Sequence, residues 1–132
     1  MDNLNFTCYY ANTRNLGPVG IIPIGISLYM PNWWTAATYQ PIAPTKTILA
    51  MKDPEQYSSA FMEYLNRLDP TDVVKALGGI AGPHPWAICC YEMPGAFCHR
   101  HLVAKWLMEN SRQPVQITEF NKQIHTLNHI HA

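Results

Sequence analysis

The run Cys90-Tyr91-Glu92-Met93-Pro94-Gly95-Ala96-Phe97-Cys98-His99-Arg100 gathers two thiols, a carboxylate, an imidazole and a guanidinium within eleven residues. The thiolate is the reactive form of cysteine. A helix N-terminus or a neighbouring cation favours it, lowering the thiol pKa from its free value of about 8.5. Cys98 directly precedes a helical pattern and is the expected nucleophile, the alternative being a small apolar residue buried at a helix start. Glu92 and His99 are the groups that would handle protons. Arg100 in a first helical turn opposes the helix dipole, and either an anionic ligand or Glu92 would relieve that conflict. It therefore reads as an anion-binding residue or as the ion-pair partner of Glu92. Cys90, Tyr91 and Pro94, at a strand end and turn, are expected to touch the ligand, with Cys90 read as a resolving thiol or as a core cysteine. Successive helical residues point about 100° apart, so Cys98, His99 and Arg100 share a target only through cap geometry. His99 is accordingly a site residue or a surface one.

Asn12 and Arg14 follow the first predicted strand and would reach the same sheet edge, where an arginine suits phosphate or carboxylate. The duller reading of Arg14 is a solvated loop residue. Cys90, Cys98, His99 and His101 are soft metal donors, but their spacing matches no standard zinc knuckle, and no metal or other cofactor is expected. His125 and His129 stand four apart in the tail and are read as incidental. Trp33, Trp34 and Tyr39 could wall a pocket, although packing on a sheet is the simpler role.

These residues must be positioned by the elements around them. Phe6 to Tyr10 reads as a buried strand, and Gly20 to Ser27 as another within a stretch broken by prolines. Pro31-Asn32-Trp33-Trp34 is compatible with a helical turn. Asp53-Pro54-Glu55 supplies a helix start, and Tyr57, Phe61, Tyr64, Leu65 and Leu68 recur at spacings of three and four, predicting a helix from Pro54 to Arg67. Asp69-Pro70-Thr71-Asp72 repeats that start, with Val73, Val74 and Leu77 as the apolar face and Gly78-Gly79 as the C-cap. Trp86 to Tyr91 is a continuous apolar run of the kind found in covered parallel strands. Cys98 to Glu109 restores helical spacing, and Val115 to Thr118 is the returning strand of a right-handed crossover unit. Residues Glu119 to Ala132 are expected to be helical at first and frayed at the end. In such a sheet, ligands bind beyond the carboxyl ends of the strands, where the cysteine run would lie.

With 132 residues, 48% hydrophobic and 14% charged, the chain has the composition of one domain with one core rather than of a disordered segment. Nine basic residues balance nine acidic ones, so no basic stripe advertises double-stranded DNA or an acidic membrane. No run approaches the roughly 20 apolar residues of a membrane span, and the start carries no signal-peptide pattern. A cytoplasmic protein is expected, its four cysteines reading as thiols. Cys89 and Cys90, adjacent on a strand, must face opposite sides of the sheet.

The segment from Ile88 to Leu107 resembles the C-terminal signature of the DUF488 family, an apolar strand, then C-x-E-x-P, a spacer and C-H-R before an amphipathic helix. The resemblance carries over to Cys90, Glu92, Pro94, Cys98, His99 and Arg100. Tyr9-Tyr10-Ala11-Asn12-Thr13-Arg14 stands where the family has its first strand and polar turn, with Ala11-Asn12-Thr13 in place of a Gly-His-Ser type turn. The resemblance implies an α/β domain with a Cys-His-Arg site and leaves the substrate open. The expectation is thus a single three-layer α/β domain, residues 1–132, with a mostly parallel sheet. It would bind a small anionic ligand, a nucleotide or related phosphate by preference, and act on it through the Cys98 thiolate. The alternatives are a non-catalytic module that sequesters a ligand or partner at the same site and, less favoured, a metal-dependent Cys/His site.

Overall fold

The computed structural model describes residues 4–92 and 99–121. Among these residues five strands form one all-parallel sheet: β1 (Leu4–Tyr9), β2 (Ile22–Gly25), β3 (Ala37–Thr38), β4 (Trp86–Cys90) and β5 (Gln116–Glu119), in the order β3-β2-β4-β1-β5. Among the described residues four helices accompany it: α1 (Lys46–Leu49), α2 (Pro54–Leu65), α3 (Pro70–Ala81) and α4 (His99–Asn110). The α/β class and the parallel sheet follow the expectation. No described helix is long and apolar enough to cross a membrane.

Side chains alternate across the strands and sort into two cores. On one face Ile24, Trp86, Ile88 and Ile117 meet Phe61 and Leu65 of α2, Leu77 of α3, and Val103, Trp106 and Leu107 of α4. On the other, Phe6, Cys8, Ala87 and Cys89 pack with Tyr10, Leu16 and Phe120 under short 3-10 turns at Tyr10–Asn15 and Gly17–Val19. The layer over that second face, among the described residues, is thus built from turns and loop residues such as Met30 and Trp34. Cys89 and Cys90 do point to opposite faces, and Cys89 lies in register with Cys8 on β1.

Both long helices before β4 begin at Asp-Pro, as their sequences require, but only one aspartate caps in the usual way. The Asp69 carboxylate accepts the Thr71 N–H at 2.9 Å, whereas the Asp53 side chain makes no cap bond. α3 does not stop at Gly78-Gly79, because burial of Leu77 and Ala81 continues the apolar stripe through them. It ends instead at Gly82, whose φ of 66° is open to glycine without strain. Pro31 to Trp34 closes a single turn, the Trp34 N–H reaching the Pro31 carbonyl at 3.0 Å. Glu119, expected to begin a helix, is the last residue of β5, and residues 122–132 lie outside the described part.

Candidate functional site at the carboxyl edge of the sheet

Arg100 is the centre of the arrangement. It is completely buried at the start of α4, and burying a guanidinium is tolerable only if its donors are satisfied. Its Nε and NH2 groups donate to the two oxygens of Glu119 at 3.0 and 3.1 Å, in a bidentate pair. Its NH1 donates to the Glu92 carbonyl oxygen at 2.6 Å and approaches Cys90 Sγ at 3.2 Å. The carboxylate partner of Arg100 is therefore Glu119 and not Glu92, which contributes its backbone. The dipole conflict at the helix start is relieved by a residue that is 19 positions away in sequence.

Glu119 also accepts from the Thr7 hydroxyl at 2.6 Å and from His101 Nε2 at 3.0 Å. Burial alone would push its carboxyl up. Hydrogen bonds from His101, Arg100 and Thr7, together with the Arg100 charge, outweigh burial and hold it at about 2. Sequence reasoning missed Glu119, although a signal was present. Val115 and Ile117 face the core, so the period of two places Glu119 on that same inward face, where an acid needs a cation.

The cysteines divide sharply. Cys8 and Cys89 are buried free thiols. Burial pushes Cys8 up to about 12 and Cys89 well above its ordinary value. Such thiols are inert. Cys90, fully buried at the end of β4, is disulfide-bonded, which corrects the expectation that every cysteine is a thiol. Glu92 Oε2 lies 3.8 Å from its sulfur. The expected site residues Pro94 and Cys98 lie outside the described residues.

Beside this network a cavity of about 300 Å³ opens between the segments that follow β2 and β4. Ser27, Tyr29, Tyr57, Tyr91, Glu92 and His99 line it, and Leu49, Met51 and Lys52 close its other side. His99 is a cavity residue rather than a surface one. Its Nε2 lies 2.8 Å from the Ile26 carbonyl oxygen, and since a carbonyl only accepts, Nε2 carries the proton. Burial is the main reason that His99 is held down at about 4, so the ring is neutral near pH 7 and its Nδ1 is an acceptor. Phe61 meets the ring edge-on, with centroids 5.7 Å apart. Tyr91 is half exposed, and its hydroxyl donates to the Tyr29 carbonyl at 2.9 Å, joining the two segments across the cavity mouth.

Of the expected site residues, the structure brings Cys90, Tyr91, Glu92, His99 and Arg100 together. Asn12 accepts a bond from Asn15 at 2.6 Å and Arg14 is exposed in the turn after β1. Neither is among the described residues lining the cavity. Lys52, Tyr29 and Tyr57 are lining residues that sequence reasoning did not single out. Tyr57 reads as one more apolar helix position, and Lys52 lies in a segment without a periodic pattern. Among the described residues, no group of three His, Cys, Asp or Glu side chains could hold a metal. No family model matches the chain, and no curated protein or solved structure matches it either.

Proposed function

We propose that the cavity takes a small anionic ligand carrying a flat ring, a nucleotide or related phosphate being the best chemical fit, and that the chain acts on it through the Cys98 thiolate. The observation that carries this reading is the tyrosine-walled cavity at the carboxyl edge of the sheet, with Lys52 and neutral His99 in its lining. Tyr29, Tyr57 and Tyr91 offer ring surfaces for stacking, and Lys52 supplies a point charge for phosphate. The volume is at the small end of the usual range of roughly 300–1,000 Å³, which suits one nucleoside-sized group rather than a dinucleotide. Arg100, its charge already held by Glu119, is a positioning residue in this scheme, and Lys52 takes the charge-neutralising role first assigned to it and to Arg14. Glu92 or His99 Nδ1 accepts the proton that the reacting group gives up.

A second reading, a non-catalytic module that sequesters the same ligand, is favoured by the disulfide at Cys90, which ties up the sulfur beside Arg100. Calorimetric titration of the chain with the nucleoside monophosphates and with inorganic phosphate tests both. Binding of at least one of them, weakened about tenfold or more in Lys52→Met, is expected from the loss of a charge-assisted bond. If none binds, or if Lys52→Met binds as tightly, the cavity reading fails. Cys98→Ala should retain binding and lose turnover of the bound compound under the first reading. Under the second there is no turnover in the unaltered chain.

A further inference from the structure

The cavity holds one nucleoside-sized group, and the aromatic surface does not stop at its mouth. Seven large apolar side chains are exposed among the described residues. Three of them, Tyr29, Leu49 and Tyr91, line the cavity, and a fourth, Trp33, is joined to that rim through Tyr10. Scattered exposed apolar residues need no explanation, whereas a contiguous patch marks a contact site. Tyr10 is the hub of the patch. It is buried just after β1, and its hydroxyl donates at 2.9 Å to Oγ of Ser27, a cavity-lining residue. Its ring meets Tyr91 and Trp34 edge-on, with centroids 4.8 and 4.9 Å away, and Trp33 at 6.5 Å. The neighbours are fixed in turn, since the Trp34 indole N–H donates to the Ala37 carbonyl at 3.1 Å and the Tyr91 hydroxyl to the Tyr29 carbonyl. Trp33 is 59% exposed. Its described ring contacts, with Tyr10 at 89° and Trp34 at 57°, are perpendicular or tilted, so neither partner covers it in a flat stack. An exposed indole held by fixed rings is a platform for another flat ring.

We propose, resting on the nucleotide reading of the cavity, that its occupant is the end nucleotide of a single-stranded oligonucleotide and that the next base of the strand stacks on Trp33. The cavity volume leaves the second unit no room inside, and the row Tyr91, Tyr10, Trp33 leads outward from the mouth to a ring with an open face. A single strand fits where a duplex does not, because only an unstacked base can offer its face to the indole.

The charges agree with that choice. Nine basic residues against nine acidic ones supply no cationic groove for a duplex backbone. Among the described residues lining the cavity, Lys52 and Glu92 are the charged ones, His99 being neutral. Electrostatics thus offers one phosphate contact, and the gain from a second nucleotide comes from stacking, which is indifferent to sequence because every base has a flat face. Neutralising one phosphate gives a shallow salt dependence, a slope of about −0.7 in log affinity against log salt for a single strand.

The test titrates the full chain with the nucleoside monophosphates and with the matching tetranucleotides, as DNA and as RNA, by calorimetry and by tryptophan fluorescence. At least one tetranucleotide should bind about tenfold or more tightly than its monophosphate and quench the emission, which is the gain of one base–aromatic stack. Trp33→Ala should bring that tetranucleotide back to the affinity of the monophosphate. Trp33→Leu, which keeps an apolar side chain without an aromatic face, should do the same and serves where Trp33→Ala fails to fold. Tetranucleotides that bind no tighter than monophosphates, a gain that survives these substitutions, or an equal gain with a duplex would overturn the proposal and leave the cavity reading in place. Absence of binding by monophosphates and tetranucleotides alike, or binding of both undiminished in Lys52→Met, would overturn the cavity reading and this proposal with it. Sedimentation of the unliganded chain tests the other occupant, since a dimer that Trp33→Ala dissociates would assign the platform to a second copy and refute the oligonucleotide.

Discussion

Replacement of Glu119 by Gln removes the carboxylate to which Arg100, His101 and Thr7 all donate, while preserving its shape. The gap between the usual 4.5 and about 2 measures how much the folded state prefers the ionised form. At roughly 1.4 kcal/mol per pH unit it corresponds to about 3–4 kcal/mol. Only 23% of the side chain is exposed, so water discounts this figure little. Leaving a buried guanidinium without its counter-charge costs roughly 3–5 kcal/mol by a separate route, which agrees. Because the folded pKa is depressed, the contribution is complete above about pH 4.5 and is lost as pH falls through about 2. Urea unfolding of the two proteins, followed by circular dichroism from pH 2 to 7, should show the variant less stable by about 3–4 kcal/mol at pH 7 and the two curves converging near pH 2. A difference under about 1 kcal/mol at pH 7, or one that stays constant across that range, would refute the assignment of Glu119 as the keystone of the network.

Two further outcomes follow from the same geometry. Nitrogen-detected NMR of His99 should show a neutral ring with the proton on Nε2 at pH 7 and a titration near 4. Its folded pKa lies below the unfolded 6.5, so stability should fall as pH drops from about 6.5 to about 4, and a titration above pH 6 would contradict the assignment. Gly25→Ala would place a methyl 2.5 Å from Met30 Sδ and 3.2 Å from the Tyr10 hydroxyl. Met30 can swing aside but would lose its 3.3 Å contact with that hydroxyl, so thermal unfolding should report a loss of about 1–3 kcal/mol.

The elements that carry strong local signals were legible in the sequence. The Asp-Pro starts of α2 and α3, the apolar run of β4 and the helical spacing of α4 each reflect a requirement that neighbours in sequence must meet. The two-residue strand β3 was not legible, since it exists only because β2 offers it a partner. The end of α3 was misplaced because Gly78-Gly79 looks like a stop until the burial of Ala81 is known. The candidate site was half legible. Its cluster after β4 lies in one short run, of which Cys90, Tyr91, Glu92, His99 and Arg100 lie together, with Arg100 paired to Glu119 rather than to Glu92. Glu119, Lys52 and Tyr57 come from other elements, and only the strand order and the packing of α2 bring them to the same place.

The strand order also sets a timetable for synthesis. Among the described residues β1, second from one edge of the sheet, pairs only with β4 and β5, and its Thr7 hydroxyl meets a carboxylate 112 residues further on. A chain emerging from the ribosome would carry this apolar strand without a partner until residue 90 is made, and without its second neighbour until residue 119. Such non-local pairing is slow and leaves a sticky edge exposed in the meantime. Nascent chains halted before β4 should therefore engage chaperones through β1, and release should come only once β5 has been made.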